Sequence, residues 1–521
     1  MNALRLDEMS RLGVRITRLV ADSRDVRAGD TFVAYPGEQS DGRRHIAQAI
    51  ARGANAVLCE ARDLQWDATW RVPHLALHDL RRQAGFIADR IYGQPSRQLQ
   101  MVGVTGTNGK TSISHWLAKS FSELDKKCAL IGTLGNGFPD ALRECANTTP
   151  DALKVHELLA QFARQEARAT VMEVSSHALA QGRVNGVHFD VALLTNLTRD
   201  HLDYHGDMQH YAAAKRRLFD WDQLGHAVLN LDDPFGAECA QSLAAKRAER
   251  VSPKTAEVVG YGMQDGARQL AVRLGIRMVY GDLLRADAQG LSLQLRTAWG
   301  EAELNSKLLG RFNASNLLGA LAVLLVSGIN FDDAVRELGA RKAVAGRMQT
   351  LGGKGTPAVV VDYAHTPDAL ENVLRTLREV RAPDGRLICV FGCGGDRDRG
   401  KRPMMGEIAA RYGDRIVVTS DNPRTENPRA IIAEIEPGLR SRGLKPLSAA
   451  EFARGESAGY LVEPDREQAI KAALATAVAG DLIFIGGKGH ETYQIVGTSV
   501  RPFDDRKVVT ETLQELEAVA S

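Results

Sequence analysis

Short, continuously apolar segments alternate along this chain with longer segments whose apolar residues recur at helical spacing. The candidate strands lie at 99–104, 170–174, 191–195 and 227–231 in the middle of the chain, and at 358–361, 387–391, 416–419 and 482–485 further on. Strands that are apolar on both faces and joined by helices are typical of a parallel sheet covered by helices on both sides. The pattern therefore predicts an α/β fold.

Three α/β domains are predicted, because a chain of 521 residues is too long for one hydrophobic core. Residues 1–97 form the N-terminal domain. Residues 98–340 form a central domain with a parallel sheet of the P-loop ATPase type, and residues 341–521 form a Rossmann-like C-terminal domain. The run GQPS at 93–96 has the composition of a linker between the first two domains.

Weaker patterns predict further elements. The N-terminal domain has candidate strands at 31–35 and 56–59, with a helix predicted over 45–52 between them. Apolar and polar residues alternate at about 268–304, which predicts antiparallel strands. The nearly all-apolar segment 317–326 predicts a buried helix and is too short to cross a bilayer.

Composition and charge narrow the function classes. Sixty-six Lys and Arg residues against 64 Asp and Glu residues give a net charge of +2, which does not favour binding to nucleic acid or to a membrane surface. The six cysteines form no CxxC pair, and the N-terminus carries charges where a signal peptide needs an apolar segment. We therefore expect a cytoplasmic protein without structural disulfides or a membrane anchor.

A glycine-rich segment, TGTNGKT at 105–111, follows the apolar strand at 99–104 and precedes a helical segment at 112–124. A loop in this position binds phosphate through its backbone N–H groups and the helix N-terminus, with Lys110 reaching the outer phosphates. Thr111 can offer its hydroxyl to Mg²⁺. The usual P-loop spacing would place a glycine where Val104 stands. The segment thus predicts nucleoside triphosphate binding in a loop of unusual spacing.

Polar clusters follow two other central strands. Glu173 and His201 could join Thr111 around Mg²⁺, because hard cations prefer oxygen ligands and accept an occasional imidazole. On motif grounds alone, a capped turn before the next helix is the favoured interpretation of His201 and His205, and a zinc site is weaker than either alternative. Lys215 lies in a helical segment, where residue spacing alone favours a solvated lysine.

The C-terminal strands also end in polar loops, which is where open α/β sheets bind ligands. The loop DYAHTP at 362–367 fits a site loop or a structural turn, and the basic glycine-rich loop at 394–402 favours an anion site. DNPR at 421–424 brings Arg424, which can hold a carboxylate with two parallel hydrogen bonds. GGKGHE at 486–491 ends the last apolar strand in the same manner.

Together these segments resemble the Mur ligase family. The resemblance runs from about residue 20 to the C-terminus and rests on motifs that follow one another in the family's order: TGTNGKT, EVSSHAL, NLTRDHLDYHG, YAAAK, GRFNASN, GRM, VDYAHTPDAL, FGCGGDRDRGKRPMM, DNPRTENP and GGKGHETYQ. It implies ATP-dependent addition of meso-2,6-diaminopimelate to UDP-N-acetylmuramoyl-L-alanyl-D-glutamate through an acyl phosphate, in peptidoglycan precursor synthesis. We expect the enzyme to act as a monomer.

The resemblance also implies roles for individual residues. ATP would contact Gly106, Thr107, Asn108, Gly109, Lys110, Thr111, Asn313, Arg347 and Asp362. Two Mg²⁺ ions would be held with the help of Thr111, Glu173, His201 and Lys215, the last as a carbamylated lysine (N6-carboxylysine). Lys110, Lys215 and His201 would be the catalytic residues. For Lys215 the prediction from the resemblance, a residue of the metal site, replaces the solvated helix lysine that residue spacing favours.

Two further sets of residues follow from the same resemblance. The UDP-muramoyl-dipeptide would contact Ala21, Ser23, Glu38, Gln39, Ser40, Asn147, Thr148, Thr149, Ser175, Gln181 and Arg183, of which 21, 38 and 40 vary in the family. Diaminopimelate would contact Arg397, Asp421, Asn422, Pro423, Arg424, Gly487 and Glu491. Physical reasoning agrees with the choice of substrate, because diaminopimelate carries a second carboxylate for Arg424 and L-lysine would bring a cation there.

Three alternatives stay open from the sequence. A sister Mur ligase could add L-lysine, and a folylpolyglutamate synthetase would share the ATP loop. The motif DNPR and the N-terminal region, which resembles the family's uridine-binding region, favour neither of these two enzymes. A P-loop regulatory NTPase would bind ATP without ligating anything, but it would have no use for the loop around Arg424.

Overall fold

Three sheets built mainly of parallel strands follow one another along the chain, each covered by helices. They are seen in a computed structural model that describes residues 13–38, 40–145, 147–248, 255–287, 289–353, 356–382, 384–455 and 458–520. Each sheet lies within one of the three stretches predicted as domains. Within the described part of the chain, no helix is long and apolar enough to cross a membrane.

The N-terminal sheet has four parallel strands in sequential order. Its strands are β1 (Leu19–Val20), β2 (Thr31–Ala34), β3 (Ala56–Glu60) and β4 (His74–Leu77). Its α-helices are Ile46–Ala51 and Leu80–Ile91, and short 3₁₀ turns lie at Ser23–Asp25, Gly42–His45 and Pro95–Gln98. The strands and helix predicted for this part are confirmed, with ends shifted by one residue or less.

The central sheet has eleven strands. They are β5 (Gln100–Thr105), β6 (Cys128–Gly132), β7 (Gly135–Phe138), β8 (Ala141–Arg143), β9 (Ala169–Glu173), β10 (Val191–Leu194), β11 (His226–Asn230), β12 (Glu257–Gly262), β13 (Arg277–Asp287), β14 (Gly290–Thr297) and β15 (Gly300–Ser306). Their order is β15-β14-β13-β12-β11-β10-β5-β9-β6-β7-β8, with β5 near the middle. The pairs from β6 through β9, β5, β10, β11 and β12 to β13 are parallel, whereas the two edges are antiparallel.

Helices cover both faces of the central sheet. They are Lys110–Glu123, Ala152–Arg164, Ser176–Gln181, Leu202–His205, Met208–Arg216, Pro234–Ala248, Asp265–Leu274, Arg311–Val326 and Phe331–Gly339. The apolar helix Arg311–Val326 is buried along almost its whole length, as predicted. It packs with Lys110–Glu123 against one face of the sheet, so the phosphate loop rests on rigid elements.

The C-terminal sheet has seven strands in the order β16-β17-β22-β18-β19-β21-β20. The strands are β16 (Gln349–Gly352), β17 (Ala358–Asp362), β18 (Leu387–Phe391), β19 (Arg415–Val418), β20 (Pro446–Leu447), β21 (Tyr460–Val462) and β22 (Leu482–Gly486). A separate hairpin consists of β23 (Tyr493–Val496) and β24 (Ser499–Pro502). The helices are Pro367–Val380, Lys401–Tyr412, Pro428–Arg440, Ala449–Arg454, Arg466–Thr476 and Asp505–Ala520.

One element prediction was wrong in part. The alternation at 268–304 correctly indicates the antiparallel strands β13 to β15, but its beginning belongs to the helix Asp265–Leu274. Ala267, Leu270 and Ala271 face the core at helical spacing there, and a short window of such residues also fits a strand. Cys389 and Cys393 are packing residues, because both are buried in the core of the C-terminal sheet.

Candidate functional site

The predicted phosphate loop lies between β5 and the helix Lys110–Glu123, at the carboxyl end of the central sheet. Gly109 stands at the N-terminus of that helix with a φ of 88°, in the left-handed region that glycine adopts without strain. The ammonium group of Lys110 folds back over the loop and donates to the carbonyl of Gly106 at 3.0 Å and that of Thr107 at 2.9 Å. Burial lowers the pKa of Lys110, and an anionic ligand beside this amine would counter the shift by favouring its charged form.

Gly106 is required by its surroundings. Its φ is 143°, and a Cβ placed on it would overlap with Thr195 Oγ1. We expect Gly106→Ala to lower the free energy of unfolding by about 2–3 kcal/mol and Tm by about 5 °C or more, and to abolish ATP binding. Thermal unfolding and nucleotide titration measure both effects. Gly266→Ala is the matched control, because its Cβ would meet no atom within 4 Å, and equal behaviour of the two variants would contradict the assignment.

Two hard oxygen donors meet at the predicted metal position. Thr111 Oγ1 donates to Glu173 Oε2 at 2.9 Å, and Thr133 holds the same carboxylate through its N–H at 2.9 Å and its hydroxyl at 3.0 Å. In the described residues no three His, Cys, Asp or Glu side chains form a metal site by themselves. The oxygen donors of Thr111 and Glu173 fit a Mg²⁺ ion. Such an ion would need further oxygen ligands, such as those of phosphate groups.

His201 lies beside this pair at the start of the helix Leu202–His205, with a φ of 54°. Burial lowers the pKa of His201 to about 3 although Asp200 opposes the shift, so the imidazole is neutral and can be a ligand. The side chain of His201 makes no capping hydrogen bond, and the helix Met208–Arg216 that follows is capped by Asp207. The local turn therefore does not exclude a metal role for His201.

Lys215 is buried, so the solvated position favoured by spacing alone was wrong. Its Nζ donates to the carbonyl of Gly106 at 2.7 Å and lies 4.5 Å from the ring centre of Tyr211. Burial holds the pKa of Lys215 well below its usual range, and the neighbouring charge of Lys110 acts in the same direction. The phosphate loop and Lys215 are thus directly connected.

The residues predicted to contact the nucleoside line a cavity of about 300 Å³ next to the phosphate loop. Arg347 donates to Thr111 Oγ1 at 3.1 Å and lies over the ring of Tyr363 at 4.3 Å. Asp362 accepts backbone N–H bonds from residues 348 and 364, both at 2.7 Å. Asn313 supports the helix Arg311–Val326 at its N-terminus and accepts a bond from Asn316 at 3.2 Å. All three predicted residues border this one cavity.

Glu38 connects the N-terminal part to the central sheet. Its carboxylate accepts hydrogen bonds from Gln181 and from the Tyr204 hydroxyl, both at 2.8 Å. Arg183 continues the chain of contacts by donating to Gln181 Oε1 at 2.6 Å and to the Thr149 carbonyl at 2.9 Å. Four residues predicted to contact the UDP-dipeptide, Glu38, Gln181, Arg183 and Thr149, therefore form one continuous network.

The network reaches the metal position through Thr149. Its hydroxyl donates to the backbone carbonyl of Glu173 at 2.7 Å and accepts from the N–H of Ser175 at 3.1 Å. Thr148 Oγ1 lies 3.1 Å from Thr133 Oγ1, and Asn147 is exposed nearby in the chain. The predicted peptide end of the substrate would thus lie beside the phosphate loop.

The other predicted uridine contacts lie in the N-terminal part. Ser23 donates to Gln48 at 2.7 Å, and Ser40 lies 3.5 Å from His45. Ala21 packs against the core of the N-terminal sheet. Gln39 was predicted with them and lies outside the described residues.

In the C-terminal part, the loop after β19 and the loop after β22 form the predicted amino-acid pocket. Asn422 Nδ2 donates to Glu491 Oε2 at 2.9 Å, and Arg424 Nη1 donates to the carbonyl of Gly395 at 2.8 Å. Gly487 lies against Asp421, and its φ of 114° is in the region that favours glycine. Pro423 follows Asn422 in the buried part of this loop, and Arg397 points its guanidinium to Asp203 at 3.8 Å.

Several residues of the site have no counterpart among those predicted. Asp200 is buried between His201 and two groups from the C-terminal part, His365 at 3.6 Å and Lys401 at 4.0 Å. Burial would raise its pKa, but the hydrogen bond from His365 and the nearby basic groups, Lys401 among them, hold the pKa of Asp200 well below the usual range. The signal in the sequence that could have identified Asp200 is its position inside the NLTRDHLDYHG motif. Lys488 is a second residue of the site that was not predicted.

A larger cavity of about 960 Å³ adjoins the nucleoside cavity and borders Thr133 and Thr148 on one side and Glu491 and Tyr493 on the other. Thr148 from the predicted peptide end of one substrate and Glu491 from the residue set predicted for the other thus border one space. Away from this cavity, direct ion pairs join the central and C-terminal parts, such as that between Arg199 and Asp398 at 2.9 Å.

Family models match most of the chain in three consecutive pieces. They are described as Mur ligase family, catalytic domain, over residues 15–92; Mur ligase middle domain, over 104–324; and Mur ligase, glutamate ligase domain, over 346–489. The chain belongs to the Mur ligase family. The resemblance stated from the motifs is confirmed, and so is the fold of this Mur ligase.

Curated relatives of this Mur ligase match it along nearly its whole length. The UDP-N-acetylmuramoyl-L-alanyl-D-glutamate--2,6-diaminopimelate ligase of Chromobacterium violaceum is 49% identical over 507 residues, which are 97% of this chain and 96% of the relative. The enzyme of the same name from Neisseria meningitidis serogroup A is 45% identical over 496 residues, covering 95% and 94% of the two chains.

Solved structures of Mur ligases have the same fold. A UDP-N-acetylmuramoyl-L-alanyl-D-glutamate--2,6-diaminopimelate ligase superposes with a TM-score of 0.64 at 35% identity, over 96% of this chain and 95% of the other. A MurF ligase from Thermotoga maritima in complex with ADP gives a TM-score of 0.62 at 18% identity over 97% and 99%. The folylpolyglutamate synthase of Mycobacterium tuberculosis gives 0.54 at 20% identity over 78% and 92%. The last two show the shared fold alone.

Proposed function

We propose that this Mur ligase uses ATP to join meso-2,6-diaminopimelate to UDP-N-acetylmuramoyl-L-alanyl-D-glutamate, the reaction for which its relatives are named. The observation that supports this most directly is the cavity of about 960 Å³ shared by Thr133, Thr148 and Glu491. It offers one space in which an acyl group held beside the phosphate loop could meet an amine held by the C-terminal loops.

Each of the three parts binds a different portion of the substrates in this proposal. Residues 1–97 bind the uridine end of the nucleotide substrate, residues 98–340 bind ATP and the muramoyl-peptide end, and residues 341–521 bind the amino acid. Glu38, which contacts Gln181 and Tyr204, supports a substrate that extends across the first two parts. The monomeric state stays a prediction. The cytoplasmic location stays a prediction from the sequence.

The reaction proceeds in two steps. The γ-carboxylate of the D-glutamate residue attacks the γ-phosphorus of ATP, the bond to ADP breaks, and an acyl phosphate forms. The amine of diaminopimelate then attacks the acyl carbon, phosphate leaves, and the nitrogen loses its proton as the amide forms. Lys110 stabilises the charge on the transferred phosphoryl group from its position over the loop.

Magnesium ions fit the donor groups next to the loop. When bound, they would neutralise charge on the phosphates of ATP. Thr111, Glu173 and His201 would hold them, together with Lys215 once this lysine carries a carboxylate. Burial favours the uncharged form of the Lys215 amine, which supports that modification, because its lone pair can attack the carbon of CO₂ and loss of a proton then leaves a carbamate.

Specificity for diaminopimelate is proposed to come from Arg424. Its guanidinium is half-buried, and burial together with the charge of Arg397 lowers its pKa without removing its charge. A carboxylate at the far end of the amino acid would pair with the guanidinium of Arg424. The ammonium end of L-lysine would meet a cation instead.

The purified protein with ATP, Mg²⁺ and the UDP-dipeptide tests this function. We expect phosphate release that depends on diaminopimelate, and a tripeptide product of the matching mass. Phosphate release without any amino acid would identify a plain NTPase and contradict the proposal. Equal kcat/KM with L-lysine would contradict the specificity, and activity with a folate but not with the UDP-dipeptide would identify the folylpolyglutamate synthetase alternative.

A further inference from the structure

Lys488 is fully buried in the C-terminal pocket. Its Nζ donates to Asn422 Oδ1 at 2.9 Å, to Glu491 Oε2 at 3.1 Å and to the carbonyl of Tyr493 at 2.7 Å. An ammonium group has three donors, so these three acceptors use all of them. Lys488 therefore has no donor left for a ligand, and its influence must pass through its neighbours.

These bonds determine which atoms of the pocket stay free. Asn422 Oδ1 also accepts the N–H of Ile495 at 2.9 Å, so the orientation of its amide group is set. The amide nitrogen of Asn422 then donates to Glu491 Oε2 at 2.9 Å. That oxygen thus receives two hydrogen bonds, whereas within the described part of the chain no group donates to Glu491 Oε1.

We propose that Lys488 is a positioning residue for the amino-acid substrate, because it holds Glu491 so that Oε1 is available to an ammonium group of that substrate. Glu491 borders the cavity of about 960 Å³ that also reaches Thr133 and Thr148. This inference rests on the proposed function, since it requires that an amino acid enters this pocket.

The charges of the pocket agree with that role. Lys488 lies 3.7 Å from Asp421 Oδ1 as well as next to Glu491, so one cation compensates part of two carboxylates. A net negative charge remains for an ammonium group, while Arg424 supplies a separate positive charge. A pocket with both signs at different ends suits an amino acid with an ammonium and a carboxylate at its far end.

A purely structural role makes a different prediction. Lys488 also binds the backbone of Tyr493 at the start of the hairpin, and its loss could simply destabilise that hairpin. In that case the variant would lose stability, and the KM values of all substrates would change together. A positioning role acts on diaminopimelate alone.

The variant Lys488→Met tests the difference. We expect the KM for diaminopimelate to rise about 30-fold, while the KM values for ATP and the UDP-dipeptide stay within about twofold. Lys488→Arg should recover part of the loss. Lys507→Met, at an exposed position of the last helix, is the matched control.

A double variant decides whether Lys488 acts through Glu491. If it does, Lys488→Met combined with Glu491→Gln should have the same KM for diaminopimelate as Glu491→Gln alone. Multiplied effects, an unchanged KM in Lys488→Met, or an equal rise for all substrates would overturn the inference. Lys488→Gln replaces Lys488→Met if the latter does not fold, and failure of both to fold while Lys507→Met folds would also overturn it.

The experiments distinguish an error in the proposed function from an error in the role of Lys488. If the wild type releases phosphate without needing diaminopimelate, the function is wrong. If the wild type needs diaminopimelate and Lys488→Met keeps the wild-type KM for it, only the role of Lys488 is wrong.

Discussion

Lys215→Ala is expected to lower kcat by about a thousandfold or more, which corresponds to about 4 kcal/mol of lost transition-state stabilisation. Alanine cannot carry the carboxylate proposed for Lys215, and the space beside the carbonyl of Gly106 would be left without an oxygen donor for magnesium. Steady-state phosphate release at saturating substrates measures the effect.

Chemical rescue makes this prediction specific. A short carboxylic acid such as acetate or propionate should enter the space left by the lysine side chain and restore part of kcat in Lys215→Ala. Removal of CO₂ should lower the activity of the wild type and leave that of the variant unchanged. Intact-mass spectrometry of the wild type under CO₂ should show the added carboxylate.

The matched control is Lys246→Ala, which removes an exposed lysine on the helix Pro234–Ala248. It should keep wild-type kcat and show no response to carboxylic acids. Wild-type kcat in Lys215→Ala would contradict the proposed modification. Rescue by neutral molecules of the same size would show that Lys215 acts only by filling space.

Arg424→Ala is expected to raise the KM for diaminopimelate about 100-fold, or about 2.7 kcal/mol, because a half-buried guanidinium and a carboxylate form a strong pair of charge-assisted hydrogen bonds. The KM for ATP should not change, since Arg424 does not border the nucleoside cavity. Initial rates at varied concentrations of each substrate measure both values.

The loop itself should survive the substitution. The N–H of Arg424 donates to the carbonyl of Ile495 at 3.1 Å, and its own carbonyl accepts from the N–H of Gly497 at 2.7 Å. These backbone bonds to the hairpin hold the loop whatever the side chain is. An effect on KM without a comparable loss of Tm would therefore report on the guanidinium.

Discrimination against L-lysine should fall with the same variant. Without Arg424 the far ammonium of L-lysine meets no cation from this residue, so the ratio of kcat/KM for diaminopimelate to that for L-lysine should decrease. Arg429→Ala, an exposed position in the same part of the chain, is the control and should keep both values. An unchanged ratio in Arg424→Ala would contradict the assignment of this pocket.

Much of the fold could be predicted because buried parallel strands leave a strong local signal. The strands at β5, β9, β10 and β11 are continuous apolar runs, and each was predicted to within a residue or so of its ends. Short or exposed strands such as β8, β20 and β24 carry no such signal, because only their pairing partners make them strands.

Lys215 shows where sequence reasoning from spacing stops. Nothing in YAAAK distinguishes a buried lysine from a solvated one, because burial depends on the elements that pack against the helix. The resemblance to the Mur ligases placed Lys215 in the site. The structure then provided the physical reason, the contact of its amine with the carbonyl of Gly106.

The sequence by itself determined the chemistry of the loops: a phosphate loop at 105–111, a carboxylate at Glu173, and an arginine at 424 that prefers a carboxylate partner. Their local residue types and positions after apolar strands were sufficient for that. Only the tertiary structure decided which loops share one cavity, which side chains are buried, and that Lys488 leaves one oxygen of Glu491 free. Those properties depend on contacts between residues far apart in the chain, and no local pattern records them.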